Sequence, residues 1–134
     1  MSQLPLILVV EDNQRNARLV TTILQANGYQ VTVAGDGQSA TAALRDTLPQ
    51  LILMDLQLPD VDGLTLTRQF KSVPETAHIP IIALTAHVLE EHQTQAIEAG
   101  CCGFVSKPIS YKAFLQTVAD AIAIECGDVC GTVS

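Results

Sequence analysis

The segment LILMD, from Leu51 to Asp55, decides the fold because an unbroken apolar run ends there on a carboxylate. Four consecutive apolar residues between polar neighbours are typical of a strand that is buried on both faces, as in a parallel sheet. Four similar runs, each bounded by polar, Gly or Pro residues, lie at Leu6 to Val10, Val31 to Ala34, Ile79 to Leu84 and Gly103 to Val105. The sequence therefore predicts five strands, with Leu51 to Met54 as the third.

The segments between these runs have the spacing of amphipathic helices. Residues 13–27 place Ala17, Val20 and Leu24 on one face, and Gly28 is suited to end that helix in a left-handed conformation. Further helices are predicted over residues 38–47, 64–73, 88–99 and 110–125, the last with Ser110 as its N-cap. This alternation predicts a doubly wound α/β fold, in which right-handed crossovers join parallel strands and helices cover both faces.

Composition limits the classes of function that are open to the chain. Its 134 residues suffice for one domain and leave little room for a second. With 48% hydrophobic and 16% charged residues, the composition is that of a globular domain, which excludes disorder as the main state. The net charge of −7 repels phosphate backbones and anionic lipid headgroups, so we expect neither a nucleic-acid nor a membrane partner.

The chain shows no pattern of a membrane span or a secretory signal. Its first ten residues lack basic side chains, and no apolar run approaches the length that crosses a bilayer, so we expect a cytoplasmic protein. The four cysteines, Cys101, Cys102, Cys126 and Cys130, form no CxxC spacing, and vicinal cysteines rarely bridge each other. We interpret them as reduced thiols.

Polar and charged side chains follow the predicted strands, at the edge where sheets of this class bind ligands. Glu11 and Asp12 follow the first strand, Asp55 the third, Thr85 the fourth and Lys107 the fifth. Each of them, taken alone, has an ordinary explanation as a helix cap, a turn residue or a solvated side chain. Taken together they are harder to explain, because three crowded carboxylates repel one another and fold stability does not require them.

Crowded carboxylates are stabilised by a hard cation. Oxygen ligands without a nearby His or Cys favour Mg²⁺, which keeps several waters and takes one or two carboxylates from a protein. A carboxylate beside Mg²⁺, with a lysine and a hydroxyl opposite, is also suited to phosphoryl transfer. We therefore predict a divalent-metal site with Asp55 as the best candidate for the nucleophile, since the third strand would be central.

Four motifs together resemble the receiver domain of two-component response regulators. They are Glu-Asp-Asn at 11–13, Met-Asp-Leu-Gln-Leu-Pro at 54–59 with Asp62-Gly63, Ala-Leu-Thr-Ala at 83–86 and Ser-Lys-Pro-Ile at 106–109. The resemblance implies a flavodoxin-like fold with strand order 2-1-3-4-5. It also implies a receiver domain over residues 1–125, and we expect residues 126–134 to form a flexible C-terminal tail.

The resemblance assigns roles to the residues around the acidic edge. Asp55 would accept the phosphoryl group, and Mg²⁺ would be bound by Glu11, Asp12, Asp55 and the backbone carbonyl of Gln57. Glu11 would act mainly through a metal-bound water. Gln57 also lies where the family tunes the lifetime of the phosphoryl group.

Further roles fall on the fourth and fifth strands and the segments that follow them. Thr85 and Lys107 would contact the phosphoryl group, and Lys107-Pro108 would form a cis peptide, an isomer that proline makes tolerable. Thr85 and Phe104 would form the switch, with Phe104 also readable as a core residue. His87 would be a second position that tunes phosphoryl lifetime.

The resemblance also implies partners. The phosphoryl donor would be a phosphohistidine of a sensor histidine kinase or a histidine phosphotransfer protein, and the downstream target would bind the face formed by the fourth helix, fifth strand and fifth helix. The wording of the motifs is similar to stand-alone cell-cycle regulators and to the receivers of hybrid kinases, and we favour the stand-alone form. Such a chain would catalyse only its own phosphorylation and dephosphorylation, so we do not expect an enzyme.

Two other classes of function share part of the pattern. A Mg²⁺-dependent phosphatase of the haloacid-dehalogenase type also uses a strand-end aspartate, but the position of its general-acid aspartate holds Gln57 here. A receiver fold that serves only as a docking surface, or a flavodoxin-like cofactor binder, is the second alternative. Against it, every residue that the chemistry requires is present, and no Ser/Thr/Gly-rich phosphate loop follows the first strand.

Overall fold

A computed structural model of the chain describes residues 5–56, 58, 60, 62–85, 90–106 and 111–123. Helices and strands alternate through these residues. The strands are β1 (Leu6–Val10), β2 (Gln30–Ala34), β3 (Leu51–Asp55), β4 (Ile81–Thr85) and β5 (Gly103–Ser106). The helices are α1 (Gln14–Ala26), α2 (Gly37–Asp46), α3 (Gly63–Ser72), α4 (Pro74–Ala77), α5 (Glu90–Ala99) and α6 (Tyr111–Ala123).

The five strands form one parallel sheet in the order β2-β1-β3-β4-β5. The central strand is β3, whose Leu53 pairs with Val9 of β1 on one side and with Ile82 of β4 on the other. The predicted doubly wound fold and its strand order are therefore confirmed. Because the strand order reverses between β1 and β3, the carboxyl ends of these two strands border the crevice where such sheets bind ligands.

Each face of the sheet buries its own hydrophobic cluster, because successive side chains of a strand point to opposite faces. The cluster on what we call the α2–α3 face includes Leu8, Val10, Ile52, Met54, Leu44, Leu66 and Phe70. The cluster on the α1–α6 face includes Ile7, Val9, Leu51, Leu53, Leu24, Phe114 and Val118. Burial of each large apolar side chain stabilises the fold by about 1.5–3 kcal/mol.

The first two helices begin at side chains that cap their free N–H groups. Asn13 Oδ1 accepts hydrogen bonds from the backbone nitrogens of Arg15 and Asn16, at 2.9 and 3.1 Å, so Asn13 is the N-cap of α1. The end of α1 follows the prediction, since Gly28 has a φ of +89°. Asp36 caps α2 by accepting a hydrogen bond of 2.7 Å from the nitrogen of Ser39.

The segment before β4 differs from the prediction of a strand over Ile79 to Leu84. Residues Pro74–Ala77 form the short helix α4, with proline at its start, where a missing N–H costs nothing. The Ile79 nitrogen donates to the Thr76 carbonyl at 3.1 Å, and the strand begins only at Ile81. The Lys71 ammonium donates to the carbonyls of Ala77 and Ile79, at 3.1 and 2.7 Å, which fixes this turn against α3.

The remaining expectations concern the last two helices, the cysteines and the membrane. The starts predicted at residues 88 and 110, and the tail over residues 126–134, lie outside the described residues. Cys101 is a buried free thiol, whereas Cys102 is disulfide-bonded, so the interpretation of all four cysteines as reduced thiols is wrong for Cys102. No described helix is both long enough and apolar enough to cross a bilayer.

Candidate functional site

Three carboxylates meet at the carboxyl ends of β1 and β3. Glu11 and Asp12 directly follow β1, and Asp55 is the last residue of β3. One carboxylate oxygen from each residue lies within 4.8 Å of the other two. Glu11 and Asp55 are only 2% and 3% exposed, while Asp12 is exposed. The structure thus brings together the three acids that the sequence placed at this edge, with one of them open to solvent.

The backbone around the acids continues the sheet beyond its regular strands. The Glu11 nitrogen donates to the Ala34 carbonyl at 2.9 Å, and the Leu56 nitrogen donates to the Leu84 carbonyl at 3.2 Å. The Glu11 carboxylate also accepts a hydrogen bond of 3.2 Å from the nitrogen of Asn13, the residue that caps α1. These bonds hold the Glu11 side chain between the end of β1 and the start of α1.

Helix α3 begins directly against the backbone of Asp55. A Cβ atom added at Gly63 would lie 2.4 Å from the Asp55 carbonyl oxygen and 2.6 Å from the Leu56 Cα, so only glycine fits there. The Gly63 nitrogen donates to the Leu56 carbonyl at 3.2 Å, and the Asp62 carboxylate caps α3 by accepting from the Leu64 nitrogen. The chain therefore leaves Asp55 and returns to it within eight residues, which closes one wall of the site.

The loop between β3 and α3 is also attached to α2. Its residues Leu56 and Leu58 are half-buried and pack on the cluster of the α2–α3 face. The Asp60 carboxylate accepts hydrogen bonds from the nitrogens of Gly37 and Gln38, at 2.9 and 3.2 Å. Sequence reasoning missed Asp60, because its partners lie 23 and 22 residues away along the chain and no local signal connects them.

The other expected site residues are described only in part. Thr85 is the last residue of β4 and pairs with Ser106, one step beyond the pairing of Asp55 with Leu84, so its backbone lies at the same edge as Asp55. Phe104 lies on β5 opposite Ala83, and only its backbone is described. The predictions for four more residues fall outside the described residues, namely Gln57, His87, Lys107 and Pro108.

The donor set at this edge fits a hard divalent cation. All three side chains offer carboxylate oxygens, and burial of two of them leaves their mutual repulsion poorly screened by water. Mg²⁺ binds one or two protein carboxylates and completes its octahedron with water, for which the exposed Asp12 side leaves access. The residues present are therefore suited to Mg²⁺.

The buried thiol of Cys101 lies on the α2–α3 face and is not a competing nucleophile. Desolvation raises its pKa to about 11, and a hydrogen bond with Thr67 and the charge of Lys71 offset only part of that rise. Because the thiolate is the reactive form, a thiol with this pKa is almost wholly protonated near neutral pH. Among the described residues, the carboxylates at the ends of β1 and β3 therefore remain the best candidates for a nucleophile.

Comparison with known proteins gives consistent results. The family model for the response regulator receiver domain matches residues 7–119. The polar-differentiation response regulator DivK of Brucella anthropi is 38% identical over 112 residues, which cover 84% of this chain and 91% of that protein.

Solved structures show the same relationship. A response regulator of Chloroflexus aurantiacus superposes with a TM-score of 0.88 at 28% identity, over 91% of this chain and all of that one. The receiver domain of a sensor histidine kinase from Pseudomonas aeruginosa, whose structure has magnesium in the active-site cleft, gives a TM-score of 0.84 at 31% identity, with 91% and 100% of the two chains covered. From its fold, its acidic edge and these matches, the chain belongs to the response regulator receiver domain family.

Proposed function

We propose that Asp55 accepts a phosphoryl group from a phosphohistidine, and that this event switches a protein-binding surface of the receiver. The observation that carries the proposal is the convergence of Glu11, Asp12 and Asp55 within 4.8 Å at the end of the central strand. The donor would be a sensor histidine kinase or a histidine phosphotransfer protein, the phosphohistidine proteins that supply receiver domains.

The chemistry is an in-line displacement at phosphorus. A carboxylate oxygen of Asp55 forms the new O–P bond while the N–P bond to histidine breaks and the imidazole nitrogen keeps the electron pair. Mg²⁺ held by Glu11, Asp12, Asp55 and the Gln57 carbonyl would neutralise the charge on the transferred oxygens. The magnesium in the Pseudomonas receiver supports this assignment.

The remaining site roles are proposed from their positions in the family motif. Thr85 and Lys107 contact the phosphoryl group, and Lys107-Pro108 adopts the cis peptide. Gln57 and His87 tune the lifetime of the phosphoryl group. The backbone position of Thr85 at the edge that also carries Asp55 supports its role.

The switch couples the phosphoryl group to the face formed by α5, β5 and α6, which correspond to the fourth helix, fifth strand and fifth helix of the sequence prediction. The Thr85 hydroxyl moves toward the new oxygens, and Phe104 turns into the space that it leaves. One exposed large apolar side chain supports a binding role for this face, namely Ile97 on α5, 38% exposed. A downstream protein target would bind there.

The proposed activity is limited to the receiver's own phosphorylation state. The chain catalyses its own phosphorylation and dephosphorylation and turns over no external substrate. The receiver domain spans residues 1–125, which agrees with a family match over residues 7–119. A stand-alone regulator is the form that we favour, because the similarity extends over 91% of the DivK relative.

The proposal is tested by incubating the protein with acetyl phosphate, with and without Mg²⁺, and measuring its intact mass. We expect a Mg²⁺-dependent gain of one phosphoryl group in the wild type and in Asp46→Asn, which removes an exposed carboxylate at the end of α2. Asp55→Asn should gain none, because the amide cannot act as the nucleophile. With acetyl phosphate and Mg²⁺, amide NMR shifts over residues 90–106 and 111–123 should change in the wild type and in Asp46→Asn but not in Asp55→Asn.

Two outcomes would contradict the proposal. A full mass gain in Asp55→Asn would show that another residue accepts the phosphoryl group. Repeated release of phosphate from small phosphomonoesters would instead favour the haloacid-dehalogenase alternative, whose enzymes turn over external substrates.

A further inference from the structure

The loop that follows Asp55 is hydrogen-bonded to a different helix, α2, through the side chain of Asp60. The two carboxylate oxygens of Asp60 accept hydrogen bonds from consecutive nitrogens, those of Gly37 and Gln38, at 2.9 and 3.2 Å. These N–H groups belong to the first turn of α2, where no partner within the helix is available. Because the carboxylate is negative and a helix N-terminus carries partial positive charge, both bonds are charge-assisted.

Asp60 completes a set of contacts that surrounds the phosphoacceptor. Leu56 and Leu58 pack on the α2–α3 face, and Gly63 returns the chain to the Asp55 carbonyl. The two leucines hold the loop against the apolar cluster, and Gly63 holds it against the backbone of β3. Asp60 joins the loop to the first turn of α2 through its two hydrogen bonds.

We propose that Asp60 is a positioning residue for metal binding and phosphorylation at Asp55, because its bonds to the N-terminus of α2 hold the β3–α3 loop in the conformation that receives the cation. The inference rests on the proposed function and adds a residue to it. A loop that is ordered before the cation arrives loses less conformational freedom on binding, so its affinity is higher.

The chain offers a matched control on the same helix end. Asp36 also accepts a backbone hydrogen bond in the first turn of α2, from the Ser39 nitrogen at 2.7 Å, but it belongs to the segment that directly precedes the helix. Asp36→Ala therefore removes one negative charge and one cap from α2 while it leaves the β3–α3 loop attached. Asp60→Ala removes a charge and a cap from the same helix and also detaches the loop.

The experiment compares Asp60→Ala, Asp60→Asn and Asp36→Ala in the full chain. The probe is Mg²⁺ alone, titrated while amide NMR shifts are recorded, and melting of the metal-free proteins gives their stability. Both alanine variants should melt about 3–6 °C lower, as expected for the loss of a helix cap in a domain of this size. Only Asp60→Ala should bind Mg²⁺ roughly five- to tenfold more weakly, a typical size for coupling between neighbouring sites.

Asp60→Asn separates position from charge. It removes the same charge as Asp60→Ala but keeps one carbonyl oxygen that can accept a hydrogen bond from α2. We expect Asp60→Asn to keep most of the Mg²⁺ affinity and to bind roughly twofold more weakly than the wild type, because half of the attachment remains.

Two results would overturn the inference. An affinity of Asp60→Asn as weak as that of Asp60→Ala would show an effect of charge alone, and an equal loss in Asp36→Ala would show a general weakening of α2. The proposed function is judged separately, by the mass gain of the wild type with acetyl phosphate. The Mg²⁺ titration tests Asp60 whether or not that gain occurs.

Discussion

The two faces of the sheet are built differently. In the described residues, the α1–α6 face is a cluster of apolar side chains that includes the fully buried ring of Phe114. The α2–α3 face has an apolar cluster as well, but it also contains Cys101 and adjoins the buried hydroxyl of Thr67, which donates to the Gly63 carbonyl at 2.8 Å. Helix α3 packs on this α2–α3 face, and its first residue, Gly63, closely approaches the backbone of Asp55.

The two faces therefore contribute differently to the domain, one mainly to its stability and the other also to the position of the site. Apolar packing is tolerant of volume-conserving exchanges and supplies most of the stability, whereas hydrogen bonds and close backbone contacts fix positions. We therefore expect changes on the α1–α6 face to alter stability alone. Changes on the α2–α3 face should alter stability and the site together.

The largest effect is expected for Phe114→Ala on the α1–α6 face. Removal of a fully buried ring leaves a cavity and should lower the free energy of unfolding by about 3–5 kcal/mol. Urea denaturation measures this loss, and Phe114→Leu is the control that keeps most of the volume. The fraction that remains folded should need the same Mg²⁺ concentration for half-maximal phosphorylation, and a marked rise in that concentration would break the comparison.

An intermediate effect is expected for Gly63→Ala on the opposite face. A methyl group 2.4 Å from the Asp55 carbonyl oxygen must displace either α3 or the phosphoacceptor strand, at a cost of about 2–3 kcal/mol. The control is Gly35→Ala, since no atom lies within 4 Å of the added Cβ there and the backbone is not left-handed. Phosphorylation by acetyl phosphate should slow in Gly63→Ala alone. Equal rates in the two variants would show that the contact does not position Asp55.

The smallest effect is expected from the titration of Cys101. Its pKa lies at about 11 in the folded chain against an ordinary value of 9.0, so the unfolded chain loses this proton first as the pH rises. Stability that is present below pH 9 should therefore decline between pH 9 and about pH 11, by about 2 kcal/mol. The measurement is the unfolding free energy of the wild type minus that of Cys101→Ala at pH 8 and pH 11. A difference independent of pH would mean that the thiol is better solvated than its burial indicates.

Much of the fold could be predicted because its signals are local. The apolar run of β1 and the third run, Leu51 to Met54, lie within one residue of the observed strands, and Gly28 ends α1 in the left-handed conformation. The predicted start of β4 at Ile79 was wrong, because the helix signal of Pro74 followed by Glu75 was weaker than the apolar run beside it. Short elements are decided by such local competition, which composition alone does not resolve.

The candidate site was predicted to the extent that it follows from strand ends. Glu11, Asp12 and Asp55 could be placed together because parallel strands end at one edge. Asp60 could not be found in this way, since its partners in α2 are near only after the chain has folded. Cys102 was misjudged for the same reason, because a disulfide depends on which residues fold next to it.

The contact between Gly63 and the Asp55 carbonyl makes the walls of the site unequally rigid. The wall made by β3 and α3 is already at closest approach, with no space for even a methyl group. The backbone of Asp55 therefore cannot shift toward α3 when a larger group is attached to its side chain, so we expect the structural change to occur elsewhere around the site. One glycine thus fixes one wall of the site, which limits where a chemical change at Asp55 can become a change of shape.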